Sequence, residues 1–369
     1  MYNFGKQIAT FHEDHVRLTN AQRANMRNRR QTNLERIDKG LEELDKPAVI
    51  ETINQGGYAQ KTMTQPPEAD QESRYDIDLG VVFEEEDAAG PRTTRGWVRD
   101  AIARKATNLK NAPETKKKCV RVIYADGYQC DFPVFRRRWT ESGWSYELSS
   151  GDEWIVSAPR SMNTWIDQQV SVTSPETSGS YQLRRVIRMG KFFAKIHANR
   201  LNRKFPSGLV ATALFIEAYV VIDGRDDEAF RETLRAISCR SKYSPVYANG
   251  VQVSDDKDID RIDRLIVEAK TSLEELDKLD DDDATESDAR KAWKKVFRHS
   301  FFDAVVKETA NSVFAPLEKK SVLGGLGLAA PFVASQAAAA LSDGERAERM
   351  ESAVRARNES GGGGKPWSH

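Results

Sequence analysis

One segment constrains the fold more than any other, because it has the two-residue period of a β-strand. It spans residues 74–83 and reads RYDIDLGVVF. Its apolar residues alternate with Asp76, Asp78 and Gly80, and successive side chains of a strand point to opposite faces. The segment therefore predicts a strand with one apolar face, which packs on a core, and one acidic face.

A pair of antiparallel strands is predicted at residues 119–124 and 128–135. Between them stands Asp126-Gly127, a dipeptide favoured in two-residue hairpin turns. Asp131 lies inside the second of these strands. A carboxylate on a neighbouring strand of the same sheet would lie close to Asp76 and Asp78.

Paired carboxylates on one strand face have a specific chemical consequence. Asp76 and Asp78 would be about 6.6–6.8 Å apart along the strand, and neighbouring like charges raise each other's pKa or bind cations. Carboxylate oxygens on a rigid strand suit Mg²⁺, and Asp131 would complete a site for two ions about 3.5–4 Å apart. An Asp-x-Asp pair is also common on a solvated strand face, and spacing alone leaves that alternative open.

Charge and cysteine content exclude several classes of protein. Lys plus Arg and Asp plus Glu both number 56, so the formal net charge is zero and the chain has no general attraction for nucleic acid or acidic membranes. The three cysteines lack metal-ligand spacing, which argues against a disulfide framework and a zinc site. Residues 1–15 lack the apolar core of a signal peptide, and the Ala/Gly-rich run at 321–342 is a poor membrane span. We therefore expect a cytoplasmic protein.

Helical patterns flank the predicted strands. An amphipathic stripe predicts a long helix over residues 20–44, and a short helical stretch is predicted at 48–54, before Gly56-Gly57. A polar segment at 171–180 separates the strand-rich part from a helical part. The further helices are expected near residues 183–194, 209–222, 259–279, 288–302 and 343–357. The domain prediction is a strand-containing lobe at 1–170 with the long helix, a helical lobe at 171–320 and an Ala/Gly-rich tail at 321–369.

Six segments carry a resemblance to a known family. In chain order they read QGGYAQKTMTQPP, YDIDLGVVF, YQCDFPVF, EWIVSAPRSMNTWI, RRVIRMGKFF and FPSG. This order resembles the bacterial cGAS/DncV-like nucleotidyltransferases (CD-NTases) of CBASS antiphage signalling. The resemblance implies an α+β fold, in which a polymerase-β-like nucleotidyltransferase lobe with a mixed sheet joins a helical lobe. Nucleoside triphosphates would bind in the cleft between the lobes.

The resemblance also implies roles for the three acids and for the glycine pair. Asp76 and Asp78 match the family's metal-binding pair, and Asp131 matches the third acid, which helps to activate the attacking hydroxyl. Gly56 matches the first residue of a Gly-Ser phosphate loop, and Gly57 stands where the family has serine. A side-chain donor to the triphosphate is therefore missing, although the loop's backbone N–H groups can still bind phosphate oxygens.

Three further residues are candidates for nucleotide binding. Lys191 and Ser207 match positions of the helical lobe that reach the donor phosphates. Lys191 also belongs to a basic stripe with the spacing of a helix face, so the alternative to nucleotide binding is a solvated helix face. Ser207 is predicted to be a helix N-cap, and a helix N-terminus is also a natural anion site. Tyr58 either stacks on a base or anchors the loop in the core. The basic stripe consists of Arg184, Arg188, Lys191 and Lys195.

Together these assignments predict a cyclic dinucleotide synthase that uses ATP, GTP and two Mg²⁺ ions, with Mn²⁺ as a substitute. Cyclic GMP–AMP is the expected product, and a separate effector would respond to it. Neither nucleic acid nor a membrane is required, and a monomer would suffice. Two alternatives stay open. A catalytically silent nucleotide-binding scaffold would account for Gly57, and a template-independent RNA nucleotidyltransferase would use the same acids, although zero net charge disfavours it.

Overall fold

A mixed sheet occupies the first half of the chain in the computed structural model, which describes residues 1–68, 75–176 and 180–303. Its strands are β1 (Glu51–Gln55), β2 (Asp76–Glu84), β3 (Glu114–Thr115), β4 (Cys119–Ile123), β5 (Gln129–Thr140), β6 (Gly143–Ser150) and β7 (Glu153–Ser157). The path β1-β2-β5-β4-β3 forms one part of the sheet, and β6 pairs with the far end of β5 and with β7. Strands β2 and β5 are parallel, whereas the other pairs are antiparallel.

The alternating segment forms strand β2 as predicted. Ile77, Leu79 and Val81 are buried in a core that the sheet shares with two helices. The remaining face carries Asp76 and Asp78 at the start of the strand. Burial of the apolar face fixes the register, because a one-residue slip would exchange the two faces.

Two local predictions were wrong. Residues 51–55 form strand β1, which pairs with β2, and not the end of a short helix. The adjacent β-branched residues Thr52 and Ile53 suit a strand, and the free edge of β2 supplies hydrogen-bond partners that a local pattern does not reveal.

The β4–β5 hairpin is confirmed, but its loop has three residues instead of the predicted two. Tyr124 N–H donates to Tyr128 C=O, and Gly127 adopts a φ of 80°. A glycine with this backbone conformation is typical of three-residue hairpin loops with a glycine bulge.

The described helices are α1 (Gly5–Phe11), α2 (Asn20–Glu43), α3 (Gly56–Ala59), α4 (Pro91–Lys105), α5 (Ser161–Thr173), α6 (Gln182–Leu201), α7 (Gly208–Glu217), α8 (Asp226–Ser238), α9 (Asp256–Leu276) and α10 (Glu286–Phe297). Shorter elements are a π-helical segment at His12–Val16, 3₁₀-helical segments at Asp277–Asp280 and Ser300–Phe302, and the small hairpin of β8 (Tyr247–Ala248) and β9 (Val251–Gln252). Helix α2 begins with a capping box between Thr19 and Gln22, which satisfies two exposed N–H groups. Helices α1, α3, α4, α5 and α8 were missed by the sequence analysis.

A second core joins the helices α5 to α10. Helix α1 contributes Ile8 and Phe11 to this core, and Phe4 just before the helix is also part of it. The first residues of the chain therefore pack with its second half. The domain boundary at 170/171 stays a prediction, and the predicted tail at 321–369 with its helix at 343–357 lies outside the described residues. Among the helices of the described ranges, none has the length and apolar character needed to cross a bilayer.

Candidate active site

The three aspartates predicted from the strand pattern lie side by side near the N-terminal ends of the adjacent interior strands β2 and β5. Because β2 and β5 are parallel, Asp78 is paired directly with Asp131, and Asp76 with Gln129. One carboxylate oxygen from each of Asp76, Asp78 and Asp131 lies within 4.8 Å of the others. Asp76 is exposed, Asp78 half-buried and Asp131 buried. The register of two strands therefore assembles a compact group of hard oxygen ligands.

The electrostatics of this group favour a bound cation. Although Asp76 is exposed as a whole residue, neighbouring protein atoms limit the access of water to its carboxyl group. This desolvation raises the pKa of Asp76 to about 7, and the charges of Asp78 and Asp131 act in the same direction. Burial and the charge of Asp131 also raise the pKa of Asp78. A divalent cation would offset this repulsion, and carboxylate oxygens are the ligands that Mg²⁺ and Mn²⁺ prefer. The donor set thus fits a divalent metal site.

Arg121 on β4 is a member of the site that the sequence analysis missed. Its Nε donates to Asp131 Oδ1 at 2.8 Å, and its Nη2 donates to Asp131 Oδ2 at 2.6 Å. A signal for this contact was present, since residues 121 and 131 are equidistant from Asp126 at the centre of the hairpin loop, and β4–β5 pairing places them opposite each other.

Gly56 sits where strand β1 ends and the short helix α3 begins, against the acids. Its φ is +60°, and an added Cβ would lie 2.0 Å from Asp78 Oδ2. Both the left-handed backbone and the lack of space require glycine here. At Gly57 an added Cβ would meet Met63 Cγ at 3.1 Å and Lys191 Nζ at 3.3 Å. The space that a serine would fill is therefore bordered by a lysine ammonium group.

Lys191 extends from α6 towards this loop, and its Nζ donates to Thr62 Oγ1 at 3.2 Å. Burial is the main cause of its pKa being lowered to about 8; Arg188 acts in the same direction, whereas Asp78 opposes it. Ser207 is the N-cap of α7, as predicted, and accepts a hydrogen bond from Val210 N–H at 3.3 Å. The helix N-terminus and Lys191 border the same open space.

That space is a cleft of about 1050 Å³. Its lining includes Gly56, Gly57, Asp76, Asp78, Lys191 and Ser207. The structure therefore brings most of the predicted site residues to one cavity. Asp131 is not among the lining residues, but its carboxylate lies within 4.8 Å of those of Asp76 and Asp78.

Tyr58 lies elsewhere. It packs on the sheet core and lines a separate cavity of about 430 Å³ together with Arg184 and Arg188. Of its two alternatives, this placement favours the loop anchor. The two arginines are buried, Arg184 pairing with Asp167 at 2.7 Å and Arg188 Nε donating to Lys61 C=O at 2.8 Å. The basic stripe of α6 is therefore not a solvated face at these positions.

Comparison with known proteins agrees with this arrangement. Residues 50–135 match the family model described as "Cyclic GMP-AMP synthase DncV-like, nucleotidyltransferase domain". This range contains the glycine pair and all three acids. The match and the observed mixed sheet with its helices confirm the predicted α+β class with a polymerase-β-like nucleotidyltransferase lobe.

Solved structures share the fold over most of the chain. The Vibrio cholerae DncV cyclic AMP-GMP synthase, in complex with nonhydrolyzable GTP, has a TM-score of 0.63 and 15% identity, covering 80% of this chain and 96% of that chain. The E. coli MS115-1 CdnC:HORMA-deltaN complex gives a TM-score of 0.61 at 15% identity, and the match covers 82% of this chain and 99% of that chain. Vibrio cholerae DncV in complex with the linear intermediate 5′ pppA(3′,5′)pG gives a TM-score of 0.61 at 15% identity, and the match covers 80% of this chain and 96% of that chain. At this identity the likeness shows the fold.

Proposed function

We propose that this chain, a nucleotidyltransferase of the cGAS/DncV-like family, joins nucleoside triphosphates into a cyclic oligonucleotide in a reaction that depends on a divalent metal. One observation carries the proposal: Asp76 and Asp78 of the acid triad line a cleft together with a glycine-initiated turn, and a lysine and a helix N-terminus border the same cleft. Phosphoryl-type chemistry requires this combination of cation ligands and phosphate contacts, because positioning and charge stabilisation provide most of its catalysis.

In each transfer a ribose hydroxyl oxygen forms a bond to the α-phosphorus of a triphosphate, and the bond from that phosphorus to the leaving oxygen breaks. Pyrophosphate leaves, and the hydroxyl proton passes to a carboxylate oxygen of the triad. Asp76, Asp78 and Asp131 would hold the metal, which supplies charge stabilisation at the attacking and leaving oxygens. A second transfer within the linear product closes the ring.

Phosphate binding is assigned to residues around the triad. Backbone N–H groups at Gly56 and Gly57 are available to phosphate oxygens. Lys191 supplies a positive charge that little water screens, and the N-terminus of α7, with Ser207 as its cap, adds a helix dipole. Because Lys191 Nζ borders Gly57, it replaces part of the contact that a serine hydroxyl would make there.

The protonation of Lys191 predicts a pH dependence. Its pKa of about 8 in the free protein means that the ammonium loses its proton as the pH rises past 8, and the affinity for phosphate then falls, by up to about tenfold per pH unit. We expect the Kd of a nonhydrolysable triphosphate, measured by calorimetry, to rise from pH 7 to pH 9. Lys191→Arg should flatten this dependence, since an arginine stays charged. An equally steep rise in that variant would contradict the assignment.

ATP and GTP are the proposed substrates, and cyclic GMP–AMP is the proposed product. The support is the likeness to DncV, whose solved complexes contain nonhydrolyzable GTP or the linear intermediate 5′ pppA(3′,5′)pG. The cleft of about 1050 Å³ is slightly larger than the roughly 300–1000 Å³ that is usual for ligand sites. We further propose Mg²⁺ as the metal, the cytoplasm as the location, consistent with three free cysteines, and a separate effector in antiphage defence as the responder to the product.

Incubation with labelled nucleoside triphosphates, singly and together, followed by phosphatase and mass spectrometry, tests these assignments. We expect a phosphatase-resistant product that requires both ATP and GTP. A ring of pyrimidines or of three nucleotides would contradict the proposed product but not the reaction. Growth of added RNA would favour the RNA nucleotidyltransferase, and no product with bound nucleotide would favour the silent scaffold.

A further inference from the structure

Asp131 differs from the other two acids because a cation of the protein already engages both of its oxygens. Arg121 forms a two-point hydrogen-bonded ion pair with it, at 2.8 and 2.6 Å. The Asp131 side chain is 10% exposed and that of Arg121 is 35% exposed. Such a planar, parallel pair is the strongest arrangement available to these two groups.

Asp76 has a weaker partner. Its Oδ1 accepts a hydrogen bond from the neutral side-chain amide of Gln129 at 3.2 Å. Within the triad, the protein thus places a fixed positive charge on the third acid. A divalent cation that binds Asp131 must displace this guanidinium from at least one oxygen, or bind beside it against charge repulsion.

We propose that Arg121 is a positioning residue that serves as the internal counter-ion of Asp131 and delays metal binding at this acid until a nucleoside triphosphate arrives. The guanidinium fork that fits a carboxylate also fits a phosphate, so the incoming triphosphate offers Arg121 a replacement partner. Metal and triphosphate then bind cooperatively, and the free protein does not hold a fully loaded centre. This inference rests on the metal site of the proposed function.

Mn²⁺ titration of the full chain tests the proposal, with free Mn²⁺ measured by electron paramagnetic resonance. Without nucleotide, we expect Arg121→Gln to bind Mn²⁺ about tenfold more tightly than the wild type, because a repelling charge next to Asp131 is lost. A nonhydrolysable triphosphate should tighten Mn²⁺ binding more in the wild type than in Arg121→Gln. The Mn²⁺ affinities of the two proteins should therefore become equal when the triphosphate is present.

Arg138→Gln is the matched control. Arg138 lies on the same hairpin strand β5 as Asp131, its side chain is 54% exposed, and it pairs with Glu85 at 3.4 Å. It lies seven residues beyond Asp131, at the opposite end of β5. We expect its Mn²⁺ affinity to equal that of the wild type.

The outcomes separate the inference from the function on which it rests. Equal or weaker Mn²⁺ binding by Arg121→Gln in the absence of nucleotide would overturn the counter-ion role and leave the metal site in place. No Mn²⁺ binding by any of the proteins, with or without triphosphate, would contradict the metal-dependent function itself. If circular dichroism shows that Arg121→Gln is unfolded, Arg121→Lys replaces it in the test. A lysine keeps the positive charge but loses the guanidinium fork that engages both oxygens of Asp131, so the Mn²⁺ affinity of this variant should lie above that of the wild type.

Discussion

Replacing Asp78 with asparagine should lower the rate of pyrophosphate release by about 10³-fold, which corresponds to roughly 4 kcal/mol in the barrier. The substitution keeps the size of the side chain but removes a negative charge from a group whose oxygens lie within 4.8 Å of Asp76 and Asp131. A metal centre with one ligand charge fewer stabilises the attacking and leaving oxygens less well. The rate is measured with a coupled pyrophosphate assay at saturating ATP, GTP and Mg²⁺.

A matched aspartate outside the cleft provides the control. Asp100 lies on α4, its side chain is 50% exposed, and it pairs with its neighbour Arg99. Asp100→Asn should release pyrophosphate at the rate of the wild type. Comparable rates in Asp78→Asn and Asp100→Asn would exclude the triad from the chemistry.

Replacing Gly56 with alanine should lower activity by about a hundredfold or more, or at least roughly 2.7 kcal/mol in the barrier, through the backbone rather than through charge. The added methyl group would lie 2.0 Å from Asp78 Oδ2, and the residue has a φ of +60°, which costs an L-residue about 1–2 kcal/mol. Either the turn unwinds or Asp78 moves, and each displaces the metal ligands from the phosphate contacts. A steady-state assay of product formation, together with a thermal melting curve, measures both effects.

Gly57→Ala is the comparison for this variant. Its added methyl group would meet Met63 Cγ at 3.1 Å and Lys191 Nζ at 3.3 Å, which are atoms of flexible side chains that can shift by a few tenths of an ångström. We expect a clearly smaller loss of activity than in Gly56→Ala. The opposite order would show that the contact with Asp78 does not determine the position of the turn.

Strand β2 illustrates what the sequence can predict. Alternation of apolar and acidic residues in one short segment is a local signal, and it located Asp76 and Asp78 on one face of a strand. The hairpin dipeptide located Asp131 in the same way. That β2 and β5 lie next to each other in parallel is not a local property. The sequence analysis assumed a neighbouring strand for Asp131 but predicted no direction for it.

The errors have the same physical origin. Residues of strand β1 were predicted to be helical. The hydrogen-bond partners of β1 lie on β2, about 25 residues further along the chain, and a local sequence pattern does not reveal them. Helix α1 was not predicted, and Phe11 at its end is buried among the later helices. Arg121 was missed because its contact with Asp131 depends on strand pairing across a hairpin. Pairing between distant segments decides each of these cases.

Crystals of the full chain grown with Mn²⁺ and nonhydrolysable ATP and GTP test the central claim most directly, through the anomalous diffraction of manganese. We predict anomalous peaks in contact with the carboxylates of Asp76, Asp78 and Asp131, with triphosphate oxygens as further ligands and Lys191 Nζ against the phosphates. Nucleotide bound in the cleft without manganese at the triad, or manganese bound only at other acidic residues, would contradict the assignment of this cleft as a metal-dependent nucleotidyl transfer centre.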